Sequence, residues 1–459
     1  MNETKITLIF NSANLFETLV RKFNSDQNFS EILSGSVFAL VARVVSAGLA
    51  LFTSIIVARF YGAEAVGILA VVNSFLMLVT IFTVVGTSTS ILRLIPEHIT
   101  KYSVTSAYCV YRKTQFFVAM VSLLIGTVFY FGAGILADKV FSKPHLSFFF
   151  ALASGFVIFK SLMDLNVQAV RGLLLRRTFA FMQVLPALAM ISILLATTFL
   201  FRHPNNPVYA QLAAFVVTAM VGVFIMDRAF KRRVQHDDVV EPITLKEILS
   251  LSLPMLLSAS MHFFIAQTGV IILGMFRTES EVGHYFIAVR LATMAAYVLF
   301  AVNSLAAPKF AQLYHSGKMD DLFHVAKKSS KLIFWTTTPI LLVLIVLGKP
   351  ILAFFFGESF VGVYPVMILV VFGQFVNSIS GPTNNFLDMI GYQRVFMRII
   401  VLSAVINVIL NLALVPFFGI YGAAFTIMIS LAFWNTCTLI YIKMKFGRTI
   451  GYVPLVRWN

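Results

Sequence analysis

The chain has 459 residues, 59% of them hydrophobic and only 12% charged, with a formal net charge of +16. Its mean hydropathy is +0.90, whereas soluble domains are nearer half apolar and a quarter charged, so an ordinary soluble fold is excluded. The cations gather in alternate loops between apolar runs, which fits membrane topology rather than nucleic acid, and two cysteines, Cys109 and Cys437, imply no disulfide framework.

In chain order, no basic segment with a short apolar core and cleavage site opens the sequence, so no removable signal peptide is expected. Between Asn11 and Asn24, Leu15, Phe16, Leu19, Val20 and Phe23 share one helical face, as in a helix lying on a membrane surface. Twelve apolar runs follow, at about 34–57, 66–91, 114–137, 146–168, 178–201, 207–229, 247–275, 283–307, 330–356, 362–389, 395–417 and 420–443. Each has roughly the 20 residues that cross a hydrocarbon core of about 30 Å. The reading is an all-α polytopic membrane protein.

The stretch TSIIVARFYGAEAVG, Thr53 to Gly67, returns without a gap as GVIILGMFRTESEVG, Gly269 to Gly283. Ile55, Ile56, Phe60, Val66 and Gly67 meet Ile271, Ile272, Phe276, Val282 and Gly283 at an offset of 216. Both copies sit just after the first span of a six-span array, which predicts a duplication. The expected organisation is a cytoplasmic segment at 1–33, a six-helix bundle at 34–230, a polar linker at 231–246, a second bundle at 247–443 and a tail at 444–459. Two pseudo-symmetric bundles then face a central cavity.

Orientation follows from the cations. With the N-terminus inside, 26 of the 35 Lys and Arg fall in inner segments and 6 outside, namely Arg59, Lys139, Lys143, Arg202, Arg277 and Lys349. The positive-inside rule therefore places both termini in the cytoplasm. No loop is long enough for a nucleotide-binding or catalytic domain, and no P-loop, HExxH, GxSxG or CxxC occurs. Neither an enzyme nor a cofactor or metal site is expected.

Polar groups at bilayer depth are costly unless they face protein or a wet cavity. The first span carries Ser36, Arg43, Ser46, Ala47, Ala50, Thr53 and Ser54 on one face; the seventh carries Ser250, Pro254, Ser258, His262, Ala266 and Gly269. These faces fit either a shared central space or close helix packing. The strongest stripe is in the tenth span, with Gln374, Asn377, Ser378, Gly381, Asn384, Asn385 and Asp388; its length favours a hydrated wall. Three cations lie within spans, Arg43, Lys160 and Arg290. Arg43 and Arg290 share polar faces and are expected at the cavity. Lys160 and Asp164, four apart, form either a self-neutralising pair or a proton- or Na⁺-coupling pair.

IIVARFYGAEAVGILA, NNFLDMIGYQR and NVILNLALVPFFGIYGAA closely resemble polysaccharide biosynthesis transporters, the Wzx-like oligosaccharide flippases of the multidrug/oligosaccharidyl-lipid/polysaccharide (MOP) superfamily. The resemblance spans about Ser34 to Lys443. It implies alternating access between two six-helix bundles and, as substrate, a polyprenyl-diphosphate-linked oligosaccharide moved to the outer leaflet of the cytoplasmic membrane by a monomer. The related lipid II flippases carry cavity arginines on the first and eighth helices, which by helix assignment implies Arg43 and Arg290 as diphosphate ligands. Asn377, Asn384 and Asn385 are then expected to contact sugar or line the path. A cation-coupled multidrug exporter of the same superfamily and a polyprenol-dependent glycosyltransferase or polymerase are the competing readings. The first needs a carboxylate site, for which Asp164 and Asp388 are available. The second needs an outer cluster of acids, which the short outer loops do not offer.

Overall fold

The computed structural model describes residues 27–201, 203–233 and 243–454, with side chains from Leu40 onward except at 254, 257–259 and 262. The surface helix expected at Asn11–Asn24 and the middle of the 231–246 linker lie outside the described residues. So do the side chains of Ser36, Pro254, Ser258 and His262.

Backbone amides have no water to bond in hydrocarbon, so a spanning chain must satisfy them within helices or closed barrels. The described chain is helical throughout: α1 Gln27–Val84, α2 Thr87–Lys101, α3 Val104–Ile135 with a π turn at Leu136–Val140, α4 Leu146–Gly172, α5 Arg176–Leu200, α6 Asn206–Lys231 and α7 Leu245–Phe276. It continues with α8 Glu279–Thr293, α9 Ala296–His315, α10 Met319–Phe356, a 3-10 turn at Glu358–Val363, α11 Tyr364–Ser380, α12 Thr383–Met389 and α13 Gln393–Phe446.

Eight of these elements are long and apolar enough to cross a membrane, and α8 with α9, bent by 42°, makes a ninth. Two of the eight are double. α1 breaks at Gly62 with φ 81° and α13 at Gly419 with φ 55°, backbone that glycine adopts without steric cost. Helix α7, with 32 residues and an apolar stretch at Phe263–Phe276, completes the twelve crossings expected, counted among the described residues.

Local chemistry sets the helix starts. Thr244 with Glu247 and Thr278 with Glu281 form capping boxes at α7 and α8, each satisfying orphan amides reciprocally. Gly381, with φ 73°, separates α11 from α12. On the exposed face of α2, Lys101 donates to Glu97 at 2.7 Å and holds that carboxyl below its usual range, a surface pair of small energetic weight.

Gly62, Arg277 and Gly419 mark one end of the bundle, here the Gly62 end, and Arg277 lies against Gly419 there. The opposite, cationic end carries Arg112, Arg171 and Arg448. One buried cluster draws mainly on residues 84–251 and another on residues 261–450. The largest cluster joins α1, α4, α8 and α11 across the middle.

The repeat explains that central seam. A Cβ on Gly67 would overlap the carbonyl of Glu279, and one on Gly283 the carbonyl of Ala63. Under the 216-residue offset Ala63 becomes Glu279 and Gly67 becomes Gly283, so the two contacts exchange. The second limb of α1 and α8 thus cross at backbone-to-backbone distance about a pseudo-twofold axis, with small residues at the crossing as membrane helices require.

Candidate functional site

On the side of this crossing away from Gly62 lies a cavity of about 230 Å³ bounded by α1, α5, α6 and α8. Its polar wall consists of Ser46, Thr53 and Ser54 from the first limb of α1, Asn73 from the second, Gln183 from α5, Gln211 from α6 and Arg290 from α8. Spacing along α1 accounts for the first three, since Ser46, Ala50, Thr53, Ser54 and Val57 recur every three or four residues. Pro186 and Ala187 keep the α5 wall low, and Val57, Leu69, Met190 and Phe286 supply the apolar part.

Much of this polarity is committed to the chain's own backbone. Thr53 and Ser54 donate to the carbonyls of Leu49 and Ala50 at 2.9 and 3.2 Å, and Ser46 donates to the Gln183 carbonyl at 3.1 Å. The Gln183 side chain and Arg290 are not so committed. The Gln183 Oε1 atom is buried and has no hydrogen-bond partner among the described residues. Arg290 is half-buried, its guanidinium 5.4 Å from the centre of the Phe286 ring, with no ion pair or hydrogen-bond acceptor among the described residues. An acceptor and a cation, both unpaired, thus face one chamber. A buried polar group without a partner is costly, so the chamber suits water or a polar, anionic ligand. Its volume matches a phosphate group or a single sugar ring and lies below the usual size of drug-like pockets.

Arg43 stands one turn from Ser46 but outside this wall. It is exposed, with its guanidinium 3.8 Å from the centre of the Phe300 ring, a cation–π contact between α1 and α9. The Tyr297 phenol is within electrostatic reach of both arginines. Lys160 and Asp164 form an ion pair within α4 and line a second cavity of about 360 Å³ between α1, α4 and α7, with Gln267 opposite.

The asparagine stripe is arranged differently from a wet wall. Asn377 is buried, donating to Gln374 at 3.3 Å and accepting from Asn435 at 3.1 Å. It forms part of an amide seam between α11 and α13. Asn384, in the first turn of the short α12, is half-buried and accepts the amide of Asn385 at 2.7 Å. None of the three lines the chamber that holds Arg290. Sequence reasoning missed Asn73, Gln183 and Gln211. Each is a lone amide in an otherwise apolar run, with no periodic stripe to give it away.

Both ends of the molecule are held across the two arrays. At the Gly62 end, Glu279 meets Lys143 at 3.2 Å and His145 at 2.8 Å. Lys143 also donates to the Arg277 carbonyl at 2.5 Å, and Arg59 donates to the carbonyls of Phe355 and Ala353, both at 3.1 Å. Toward the cationic end, Ser90 and Ser252 share a hydrogen bond of 2.7 Å.

Residues 32–314 match the family model described as polysaccharide biosynthesis protein. The chain belongs to this family. Residues 254–413 also match the MatE model, so the family's place in the MOP superfamily is carried by the second half as well. A Haloferax volcanii protein named "Probable low-salt glycan biosynthesis flippase Agl15" is 22% identical, over 88% of this chain and 81% of its own length. An uncharacterized membrane protein of Methanocaldococcus jannaschii is 19% identical, over 86% of this chain and 80% of its own. Among solved structures, the lipid II flippase MurJ in an inward closed conformation superposes with a TM-score of 0.71 at 14% identity, covering 89% of this chain and 87% of MurJ. An inward-facing multidrug resistance MATE transporter superposes at 0.61 and 16%, covering 90% and 94%. The family member described here therefore has the MurJ- and MATE-like fold of a multi-pass membrane transporter, in a superfamily of transporters rather than enzymes.

Proposed function

We propose that the protein is an alternating-access flippase that carries a polyprenyl-diphosphate-linked oligosaccharide from the cytoplasmic to the outer leaflet of the cytoplasmic membrane. The observation that carries this reading is the chamber of α1, α5, α6 and α8, where Arg290 presents a cation without a carboxylate partner beside the unpaired Gln183 amide. A diphosphate cannot cross hydrocarbon unaided, because stripping its hydration is prohibitive, and a guanidinium binds phosphate oxygens in a bidentate fork. Family membership and the name of the Haloferax relative support the same substrate class. The chamber takes one phosphate or sugar unit at a time, so a longer glycan requires the two arrays to part. In this reading the arrays 34–230 and 247–443 move as lobes of a monomer, both termini face the cytoplasm, and the polyprenyl tail stays in lipid. Asn384 and Asn385 meet the sugar when the lobes open, and a proton or Na⁺ supplies the coupling.

The test is leaflet translocation in proteoliposomes with a labelled polyprenyl-diphosphate oligosaccharide. Protein-dependent movement that the double substitution Arg43→Ala/Arg290→Ala abolishes, with insertion unchanged, is the expected result. No movement across a panel of such lipids, together with efflux of a cationic dye, would replace this reading with a multidrug exporter using Asp164.

A further inference from the structure

One cationic feature lies outside the proposed transport path. At the cationic end, a groove of about 730 Å³ opens between α3 and the start of α7, lined by Arg112, Lys113, Phe116, Phe117, Met120 and Leu245. Phe116 and Met120 are 69% and 52% exposed and begin a stripe of exposed apolar side chains on α3 that continues through Leu123, Leu124, Val128 and Phe131. That stripe is the lipid-facing side of the helix. Arg112 and Lys113 sit one turn beyond Phe116 and Phe117, where the hydrocarbon gives way to the headgroup layer.

Among the described residues, the charges in the groove do not cancel. Arg112 donates to Gln115 at 2.9 Å and lies 3.6 Å from Asp227, with half its side chain still open to solvent. Lys113 donates to the Ile243 carbonyl at 2.9 Å and has no carboxylate within ion-pair distance among the described residues. The nearby acid on α7, Glu247, is turned back onto the Thr244 amide at 3.3 Å. Among the described residues, two cations against one carboxylate, with an apolar trough beneath them, complement a molecule with an anionic head and a hydrocarbon tail.

We propose that this groove binds one anionic phospholipid of the bilayer, its phosphate held between Arg112 and Lys113 and an acyl chain laid along Phe116, Phe117 and Met120. A soluble phosphate compound leaves the apolar trough uncovered. A zwitterionic lipid brings a third cation to a site that already has a surplus. The groove also straddles a seam: Ile243 and Ile248 are buried in the cluster formed mainly by residues 84–251, so the bound lipid pins the start of α7 against α3. The assignment rests on the membrane-spanning fold alone and stands or falls separately from the transported substrate.

Native mass spectrometry of the detergent-purified full chain tests it, with phosphatidylglycerol or phosphatidylcholine of matched acyl chains added. The expected result is retention of one phosphatidylglycerol, with phosphatidylcholine held about fivefold less. Arg112→Gln/Lys113→Gln should weaken phosphatidylglycerol about tenfold or more, since each cation near an anionic headgroup contributes about fivefold. The variant Lys318→Gln/Lys445→Gln, at exposed cations elsewhere, should bind as the wild type does. Lys113→Arg, which keeps both the charge and a donor for Ile243, should also bind normally, and an unchanged thermal-unfolding midpoint of Arg112→Gln/Lys113→Gln separates lost binding from misfolding. Equal retention of the two lipids, or undiminished phosphatidylglycerol on Arg112→Gln/Lys113→Gln, overturns the proposal. Displacement of phosphatidylglycerol by equimolar polyprenyl diphosphate overturns it too, by assigning the groove to a different lipid.

Discussion

At the scale of single residues, the two arginines marked in the sequence have separate environments. Arg43 is spread over the Phe300 ring at 3.8 Å, whereas Arg290 enters the chamber beside an unpaired Gln183 oxygen. Arg290→Ala should therefore lower translocation about 10- to 100-fold, the weight of one or two hydrogen bonds to a charged group, and Arg43→Ala should cost several-fold less. Arg290→Lys keeps the charge but loses the planar fork, so it should fall between wild type and Arg290→Ala. Initial rates at saturating and limiting lipid measure this, and equal loss in Arg43→Ala and Arg290→Ala would contradict the ordering. Both arginines were legible because a cation at bilayer depth stands out against apolar neighbours. Gln183 and Gln211 were not, because one amide per span has no periodicity and only the packing of α5 and α6 against α1 shows where it faces. Asn377 shows the converse. A polar stripe identifies a helix face that avoids lipid, but whether water or another amide meets that face depends on α13, which brings Asn435 to it.

At the scale of elements, the apolar runs marked where helices lie, but three of those runs break inside: 66–91 at Gly86, 283–307 between α8 and α9, and 362–389 at Gly381. The repeat TSIIVARFYGAEAVG predicted duplication; it did not reveal that its two copies pack against each other. That follows from geometry: Gly67 and Gly283 are the residues that let the second limb of α1 and α8 approach to backbone contact. Because the overlapping atoms are backbone carbonyls, no rotamer change relieves the clash when a methyl is added, and the helices must separate. Gly67→Ala and Gly283→Ala should each lower the midpoint of thermal unfolding in detergent, overpacking of this kind costing about 1–3 kcal/mol. Pseudo-symmetry further predicts similar losses for the two variants, and a double variant that loses less than the sum, since one displacement accommodates both methyls. Strictly additive losses would show that the two glycines do not share one crossing.

At the scale of the whole molecule, the Gly62 end is closed by contacts from the first array to the second that are polar, whereas the seam beneath it is apolar. Glu279 holds Lys143 and His145, and Arg59 holds the carbonyl end of α10. The side chains of Lys143 and Glu279 keep only 14% and 12% of their surface, so this pair is better protected than a surface ion pair and still open enough to be broken without a large desolvation penalty. In the proposed alternating-access cycle such a closure suits an end that opens and shuts, because its free energy is small and it reforms in water. Glu279→Gln removes the charge that both partners share and should shift the molecule toward opening at this end, by about tenfold for a loss near 1.4 kcal/mol. Cavity accessibility reads this directly. In a Cys109→Ser/Cys437→Ser background, Ala187→Cys places a thiol in the wall of the chamber. A membrane-impermeant thiol reagent added from the side that the Gly62 end faces should label that thiol about tenfold faster when Glu279 is Gln. Added from the cationic end, the same reagent should label it no faster, since the Ser90–Ser252 contact there is untouched. Faster labelling from both sides would mean that the substitution loosens the fold as a whole, and unchanged labelling from both would mean that the glycine crossing, rather than the Glu279 cluster, holds this end shut.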